Sequence, residues 1–188
     1  MGRGLVFVVS APSGAGKSTL LSIARKRLPD LAVTVSATTR QPRPGEKDGV
    51  DYYFLSREEF RKAIARNAFA EWAEVHGQFY GTFKSEIERH IGQSGTIVLE
   101  LDVQGMQSIR SLYPDMVSIF IVPPSLEELK SRLISRGTNE EEDIRLRLAN
   151  ATREMEAQSE FDHIIVNDDV ENAATQLVAL FQTSPQAS

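Results

Sequence analysis

Ser10-Ala11-Pro12-Ser13-Gly14-Ala15-Gly16-Lys17-Ser18-Thr19-Leu20 follows the apolar run Leu5-Val6-Phe7-Val8-Val9 and opens a stretch of helical spacing. Residues 11–18 match the phosphate-binding pattern G-x-x-x-x-G-K-[ST] at each defined position but the first, where Ala11 stands. Gly14 and Gly16 carry no Cβ, so the backbone can turn its amide N–H groups inward around an anion. The helix beginning at Lys17 adds the partial positive charge of its N-terminus. In this pattern Lys17 reaches the β- and γ-phosphates of a nucleoside triphosphate, and the Ser18 hydroxyl ligates its magnesium ion. A surface turn with a helix cap is the competing reading, and the apolar run before it and the helical spacing after it weigh against that. A phosphate loop implies a nucleotide; it does not select a reaction.

Outward from the loop, Leu20, Leu21, Ile23, Ala24 and Leu28 continue a helix that Pro29 stops, and residues 32–36 read as a second strand. Residues 37–53 are rich in Pro, Gly, Thr and charge and hold Arg40, Arg43 and Lys47, a composition typical of functional loops. Ser56-Arg57-Glu58-Glu59 is a capping box, and residues 69–83, aromatic with Gly77 and Gly81, read as short hairpin strands. Residues 36–83 therefore resemble an inserted mixed lobe. Alternation then resumes: helix 84–94, strand 97–102, helix 104–112, strand 117–122, and a helix starting at the Ser125–Glu128 box and ending at Gly137. A charged helix over 139–159, a strand over 163–166 and a helix over 169–181 complete the chain. Strand and helix alternating at both ends predict an α/β fold with a parallel sheet wrapped by helices. The tail 183–188 is expected to fray.

With 188 residues and 41% hydrophobic content, one domain with a real core is expected. A net charge of −5 argues against a nucleic-acid-coating surface, and the absence of cysteine excludes disulfides and thiolate chemistry. The longest apolar runs are strand-length and the first residues run into a strand rather than a signal peptide, so a soluble cytoplasmic protein is expected, without membrane or nucleic-acid partners.

Glu100 and Asp102, two apart at the end of an apolar strand, would share a face and could orient a substrate or magnesium water, or simply cap the next helix. Arg132, Arg136 and Arg147 straddle Gly137-Thr138. Singly each reads as a solvated charge; together they resemble a cationic lid able to close on a phosphoryl group. In the insertion, Arg40, Arg43, Tyr52 and Tyr80 could hold a monophosphate, while Glu71 with Ser36 and Thr82 could read a base edge. Guanine offers two N–H donors that suit a carboxylate and one acceptor that suits a hydroxyl; adenine has the wrong pattern. The tyrosines as core aromatics are the alternative. His76, His90 and His163 lack ligand spacing.

Ser-Ala-Pro-Ser-Gly-Ala-Gly-Lys-Ser-Thr at 10–19, Val-Ser-Ala-Thr-Thr-Arg-Gln-Pro-Arg-Pro-Gly-Glu at 35–46, Asp51-Tyr52, Phe69-Ala70-Glu71-Trp72-Ala73-Glu74, Tyr80-Gly81-Thr82, Leu101-Asp102-Val103-Gln104-Gly105 and Ile165-Val166-Asn167-Asp168-Asp169 together resemble the guanylate kinase family from end to end. The resemblance implies a phosphate-loop nucleoside monophosphate kinase core over about 1–35, 84–125 and 161–188, a GMP-binding lobe over about 36–83 and a helical lid over about 126–160. It implies transfer of the γ-phosphoryl group of ATP to GMP, and to dGMP, with magnesium as cofactor. By position it assigns Ala11, Pro12, Ser13, Gly14, Ala15, Gly16, Lys17, Ser18, Thr19 and Asn167 to ATP, with Asn167 near adenine. Ser36, Arg40, Arg43, Tyr52, Glu71, Tyr80, Thr82, Glu100 and Asp102 fall to GMP. Lys17, Arg40, Arg132, Arg136 and Arg147 fall to catalysis, and Ser18, with Asp102 through water, to the metal. Many members carry Asp where Glu100 stands and Ser where Thr82 stands; both exchanges keep the functional group. Oligomeric state stays open, a homodimer among the options.

Two other readings share parts of the pattern. A ribose bisphosphate kinase would share the loop but has no need of Glu71 with Ser36 and Thr82. An inert guanylate-kinase-like scaffold module would have a degraded loop, whereas Gly14, Gly16, Lys17 and Ser18 are intact here.

Overall fold

The computed structural model describes residues 4–75, 77–93, 95–135 and 141–183. In chain order the first elements are β1 (Val6–Ser10), α1 (Lys17–Arg27), β2 (Ala32–Val33), β3 (Ala37–Thr38), β4 (Tyr53–Phe54) and α2 (Arg57–Ala65). Next come β5 (Phe69–Val75), β6 (Gln78–Phe83), α3 (Lys84–Gly92), β7 (Ile97–Glu100), α4 (Val103–Leu112) and β8 (Val117–Val122). The chain continues through α5 (Leu126–Ser135), α6 (Glu141–Glu156), a 3₁₀ turn (Ala157–Glu160), β9 (His163–Val166) and α7 (Val170–Gln182).

Five strands form a parallel sheet in the order β2-β7-β1-β8-β9, which puts β1 in its centre. Alternate residues of β1 therefore face two different cores. Phe7 and Val9 pack with Leu20, Leu21, Leu177 and Phe181 of α1 and α7, and the rings of Phe7 and Phe181 meet edge to face at 5.1 Å. Val6 and Val8 pack with Ile87, Ile91, Met106 and Ile109 of α3 and α4. Burial on both faces explains why Val6–Val9 of β1 and Ile119–Val122 of β8 read as unbroken apolar runs.

A second sheet, in the order β4-β3-β6-β5, is built from the inserted lobe. Its β5–β6 hairpin turns at Gly77, whose φ of 73° lies in the left-handed region, and a bulge falls between Phe69 and Glu71. The capping box forms as read: Ser56 accepts from the Glu59 amide while the Glu59 carboxylate accepts from the Ser56 amide. The helix so started delivers Phe60, wholly buried, to stack on Phe69 at 4.4 Å and Phe79 at 5.3 Å.

Several sequence boundaries shift. The strand expected over 32–36 is divided: β2 ends at Val33 in the large sheet and β3 starts at Ala37 in the small one, because the chain crosses between sheets there. The helix expected to reach residue 94 ends at Gly92, and the strand expected to reach Asp102 ends at Glu100. The long charged helix tightens into a 3₁₀ turn at Ala157. Residues 136–140, which include Arg136 and the Gly137-Thr138 turn, and the tail 184–188 lie outside the described residues. Among the described residues no helix is long and apolar enough to cross a membrane.

Phe60 carries the small core, so Phe60→Ala is expected to lower the free energy of unfolding by about 3–5 kcal/mol. Urea unfolding measures this, and a loss below about 1 kcal/mol would show that the small sheet does not depend on the stack.

Candidate active site

β1 ends in a loop over residues 11–16 before α1 begins. Gly14 and Gly16 adopt φ of 92° and 98°, a conformation strained for any residue with a side chain. Gly16 occupies the cap position of α1, no side chain caps that end, and its first turn holds no acid. The amide donors of the first turn are thus left to a ligand. Behind the loop stands Asn167, only 2% exposed, whose Nδ2 donates to the Ala15 carbonyl at 2.7 Å. A Cβ on Gly16 would fall 2.3 Å from that Nδ2, so a side chain here would have to displace the Asn167 amide on a backbone already in the left-handed region. Residues 11–14 and 16–19 line a cavity of about 350 Å³. Glu154 of α6 closes the lining.

A second cleft, of about 260 Å³, opens between the two sheets. Ser36, Tyr52, Glu71 and Tyr80 line it from the lobe side, and Glu100, Asp102 and the start of α4 from the core side. The Thr82 hydroxyl donates to Glu71 Oε1 at 2.7 Å, and Thr82 is fully buried. Thr82 therefore orients the carboxylate, and its proton is not offered to a base edge as the sequence reading expected. Burial, with the Asp102 charge added, raises the Glu71 carboxyl pKa above its ordinary value; the Thr82 hydrogen bond opposes this without reversing it.

Arg40 lies beside this cleft. Its guanidinium donates to Glu46 Oε1 at 2.9 Å and to the Gln41 carbonyl at 2.7 Å, and lies 5.4 Å from the centre of the Tyr52 ring. The other Glu46 oxygen accepts from the Arg43 amide at 2.7 Å, so one carboxylate fixes both arginine positions. The Arg43 side chain itself is exposed. Hydrogen bonding to Arg40 and to the Arg43 amide holds the Glu46 carboxyl below its ordinary pKa.

Glu100 ends β7, paired in register with Val9 of β1, and its Oε2 lies 3.8 Å from Lys17 Nζ. The pair joins the two cavities. Asp102 does not share the strand face expected for it: β7 has already stopped, and Asp102 caps α4 by accepting from the Gly105 amide at 2.7 Å. Both acids still border the same cleft, because the strand end and the helix start are adjacent.

Of the three arginines expected to form a lid, Arg132 is tied to the core: its Nε donates to Glu128 at 2.9 Å and its Nη2 to the Asn167 carbonyl at 3.0 Å. Arg147 is half-buried on α6, and Arg136 lies outside the described residues. Asn167, expected near adenine, has its amide beneath the loop, with Oδ1 buried and without a hydrogen-bond partner among the described residues. Sequence reasoning missed Glu46 and Glu154. Glu46 left a faint signal, the one acid in the stretch from Arg40 to Lys47 that also holds Arg43; Glu154 left none in a helix charged on most faces. No group of three or more His, Cys, Asp or Glu among the described residues could hold a metal ion.

A glycine loop at the carboxyl end of the central strand of a parallel sheet, facing a cleft against an inserted lobe, defines a phosphate-loop kinase of the nucleoside monophosphate kinase class. The family model described as guanylate kinase matches residues 3–184. The guanylate kinase of Thermosynechococcus vestitus is 50% identical over 183 residues, covering 97% of this chain and 96% of that protein. That of Thermotoga maritima is 43% identical over 181 residues, covering 96% and 87%. The crystal structure of guanylate kinase from Anaplasma phagocytophilum superimposes with a TM-score of 0.77 at 32% identity, over 100% of this chain and 89% of that one. The chain belongs to the guanylate kinase family.

The raised Glu71 pKa has a consequence for stability. The fold disfavours the charged carboxylate, so its contribution is full below the unfolded carboxylate range and is lost as pH rises through the raised value. Glu71→Gln keeps the acceptor for Thr82 and removes the buried charge. The variant is expected to melt above the parent at pH 7, with the gap closing below about pH 4. Calorimetric melting temperatures at the two pH values check this, and an equal or lower value at pH 7 contradicts it.

Proposed function

We propose that this chain transfers the γ-phosphoryl group of ATP to GMP, giving ADP and GDP. The observation that carries the reading is Glu71, a carboxylate braced by Thr82 at 2.7 Å in a cleft whose core side bears Glu100, itself 3.8 Å from Lys17 of the phosphate loop. A fixed double acceptor suits the N1–H and N2–H edge of guanine, with the Ser36 hydroxyl free to donate to O6. Arg40 and Arg43, held by Glu46, with Tyr52 and Tyr80, take the monophosphate. No residue in this set is assigned to the ribose 2′-hydroxyl, so dGMP is accepted as well.

Residues 11–19 hold the ATP phosphates, with Lys17 on the β- and γ-groups and Asn167 bracing the loop from beneath. In this reading the core is about 1–35, 84–125 and 161–188, the GMP lobe about 36–83 and the lid about 126–160. The lid brings Arg132, Arg136 and Arg147 to the transferring group. Magnesium is the proposed ion. Ser18 offers a hard oxygen ligand, with Asp102 acting through water, and the absence of a self-sufficient acid cluster among the described residues suits an ion that enters with the nucleotide. When bound, it supplies charge neutralisation on the β- and γ-phosphates.

The acceptor phosphate has a second pKa of about 6 and is mostly a dianion at pH 7, so no general base is required. The difficulty is bringing two anions together. Lys17 and the arginines offset that repulsion, and the two sheets hold donor and acceptor in line. The cytoplasm, where both nucleotides occur, is the proposed compartment.

Base choice is the decisive test. AMP would set a ring-nitrogen acceptor against Glu71, and a site built on such pairing rejects the mismatch by about 10⁴–10⁵. Coupled assays should therefore show GMP phosphorylated and AMP nearly inert. Glu71→Gln should lower kcat/KM for GMP by at least about 10²-fold. Unchanged GMP efficiency in that variant would remove Glu71 from base recognition.

Lys17→Ala should cut turnover by about 10²–10³, the loss typical of one preorganised contact to the transition state. Retention of more than half the parental rate would contradict the role assigned to Lys17.

A further inference from the structure

Glu154 is an anion on the wall of an anion site. It comes from the second half of α6 and is half-buried. Among the described residues its companions around the phosphate-loop cavity all belong to residues 11–19; of these described lining residues Glu154 is the only acid and Lys17 the only cation. That lysine already pairs with Glu100 at 3.8 Å, and Glu154 adds a second carboxylate acting on it, while Asp102 repels Glu154 from the cleft side. Burial and Asp102 together lift the Glu154 carboxyl above its ordinary pKa, as expected for a charge set in an unfavourable place.

Charge magnitude decides what the group can do. Metal-free ATP brings about four negative charges and its magnesium complex about two, so a fixed carboxylate opposes the first roughly twice as strongly as the second. No set of three or more acids among the described residues could hold the ion alone, so the compensating charge must arrive with the nucleotide.

We propose that Glu154 is a specificity-determining charge filter, which repels metal-free nucleoside triphosphate from the phosphate loop and leaves the metal complex as the form that binds. This rests on the reading of residues 11–19 as the ATP phosphate site. Glu154 acts through its charge on the entering phosphates, not as a ligand of the ion and not in the transfer step.

The test is calorimetric titration with ATP, in magnesium and in chelator, of the parent, Glu154→Gln, Glu154→Ala and the charge-retaining Glu154→Asp. Both neutral variants should bind metal-free ATP about tenfold more tightly and magnesium ATP about threefold more tightly or less, narrowing the ratio of the two Kd values at least threefold. Glu154→Asp should keep the parental ratio. Equal factors for both ligand forms in the neutral variants would overturn the filter. So would loosened magnesium ATP with metal-free ATP unchanged, which would mark Glu154 as a metal-positioning group. A parent protein that binds neither form would overturn the ATP assignment of the loop, and the filter with it, a result distinct from any change confined to the variants.

Discussion

The amide of Asn167, donating to the Ala15 carbonyl at 2.7 Å from a fully packed position, is the contact on which the phosphate loop depends. Two left-handed glycines give the loop its curvature, but left-handed glycine is equally compatible with other turns. What selects this one is a hydrogen bond from the end of β9, across the sheet, to the loop after β1. The same residue's carbonyl receives Arg132 of α5, so loop, sheet edge and α5 converge on a single side chain and its backbone. Removing the donor would leave the Ala15 carbonyl unpaired in a dry setting, which costs more than the bond itself contributes.

The second organising feature is that the cleft lies between two sheets of different origin. The core sheet supplies Glu100 and Asp102, the lobe Ser36, Tyr52, Glu71 and Tyr80. Neither sheet alone makes a site. On β5, with Thr82 of β6 beside it, Glu71 is held in place by the fold itself. That bracing is set against burial, which disfavours the charged carboxylate and raises its pKa.

Charge is balanced finely around Lys17. Glu100 and Glu154 both act on it, and Glu128 and Glu46 occupy Arg132 and Arg40 in the same way. Each of these cations therefore has a local carboxylate partner. Entering phosphates must compete with or displace those partners, which favours ligands that bring compensating charge.

The phosphate loop, the alternation of strand and helix and the capping box at Ser56 were legible in the sequence, because each rests on local chemistry: glycine freedom, apolar periodicity, hydroxyl capping. The end of β7 was misplaced by two residues, and with it the geometry of Asp102, since an apolar run does not say where sheet pairing gives way to a helix cap. Thr82 was legible as a polar group near Glu71, but whether its proton went to a ligand or to Glu71 depended on the register of β5 against β6. Sequence by itself determined the class of fold, the phosphate loop and the family resemblance. Tertiary structure alone decided that Asn167 braces the loop, that Glu46 serves both arginines and that Glu154 enters the phosphate cavity. The physical reason is distance along the chain: Asn167 meets a carbonyl 152 residues away, and no local periodicity encodes a contact made only when the sheet closes.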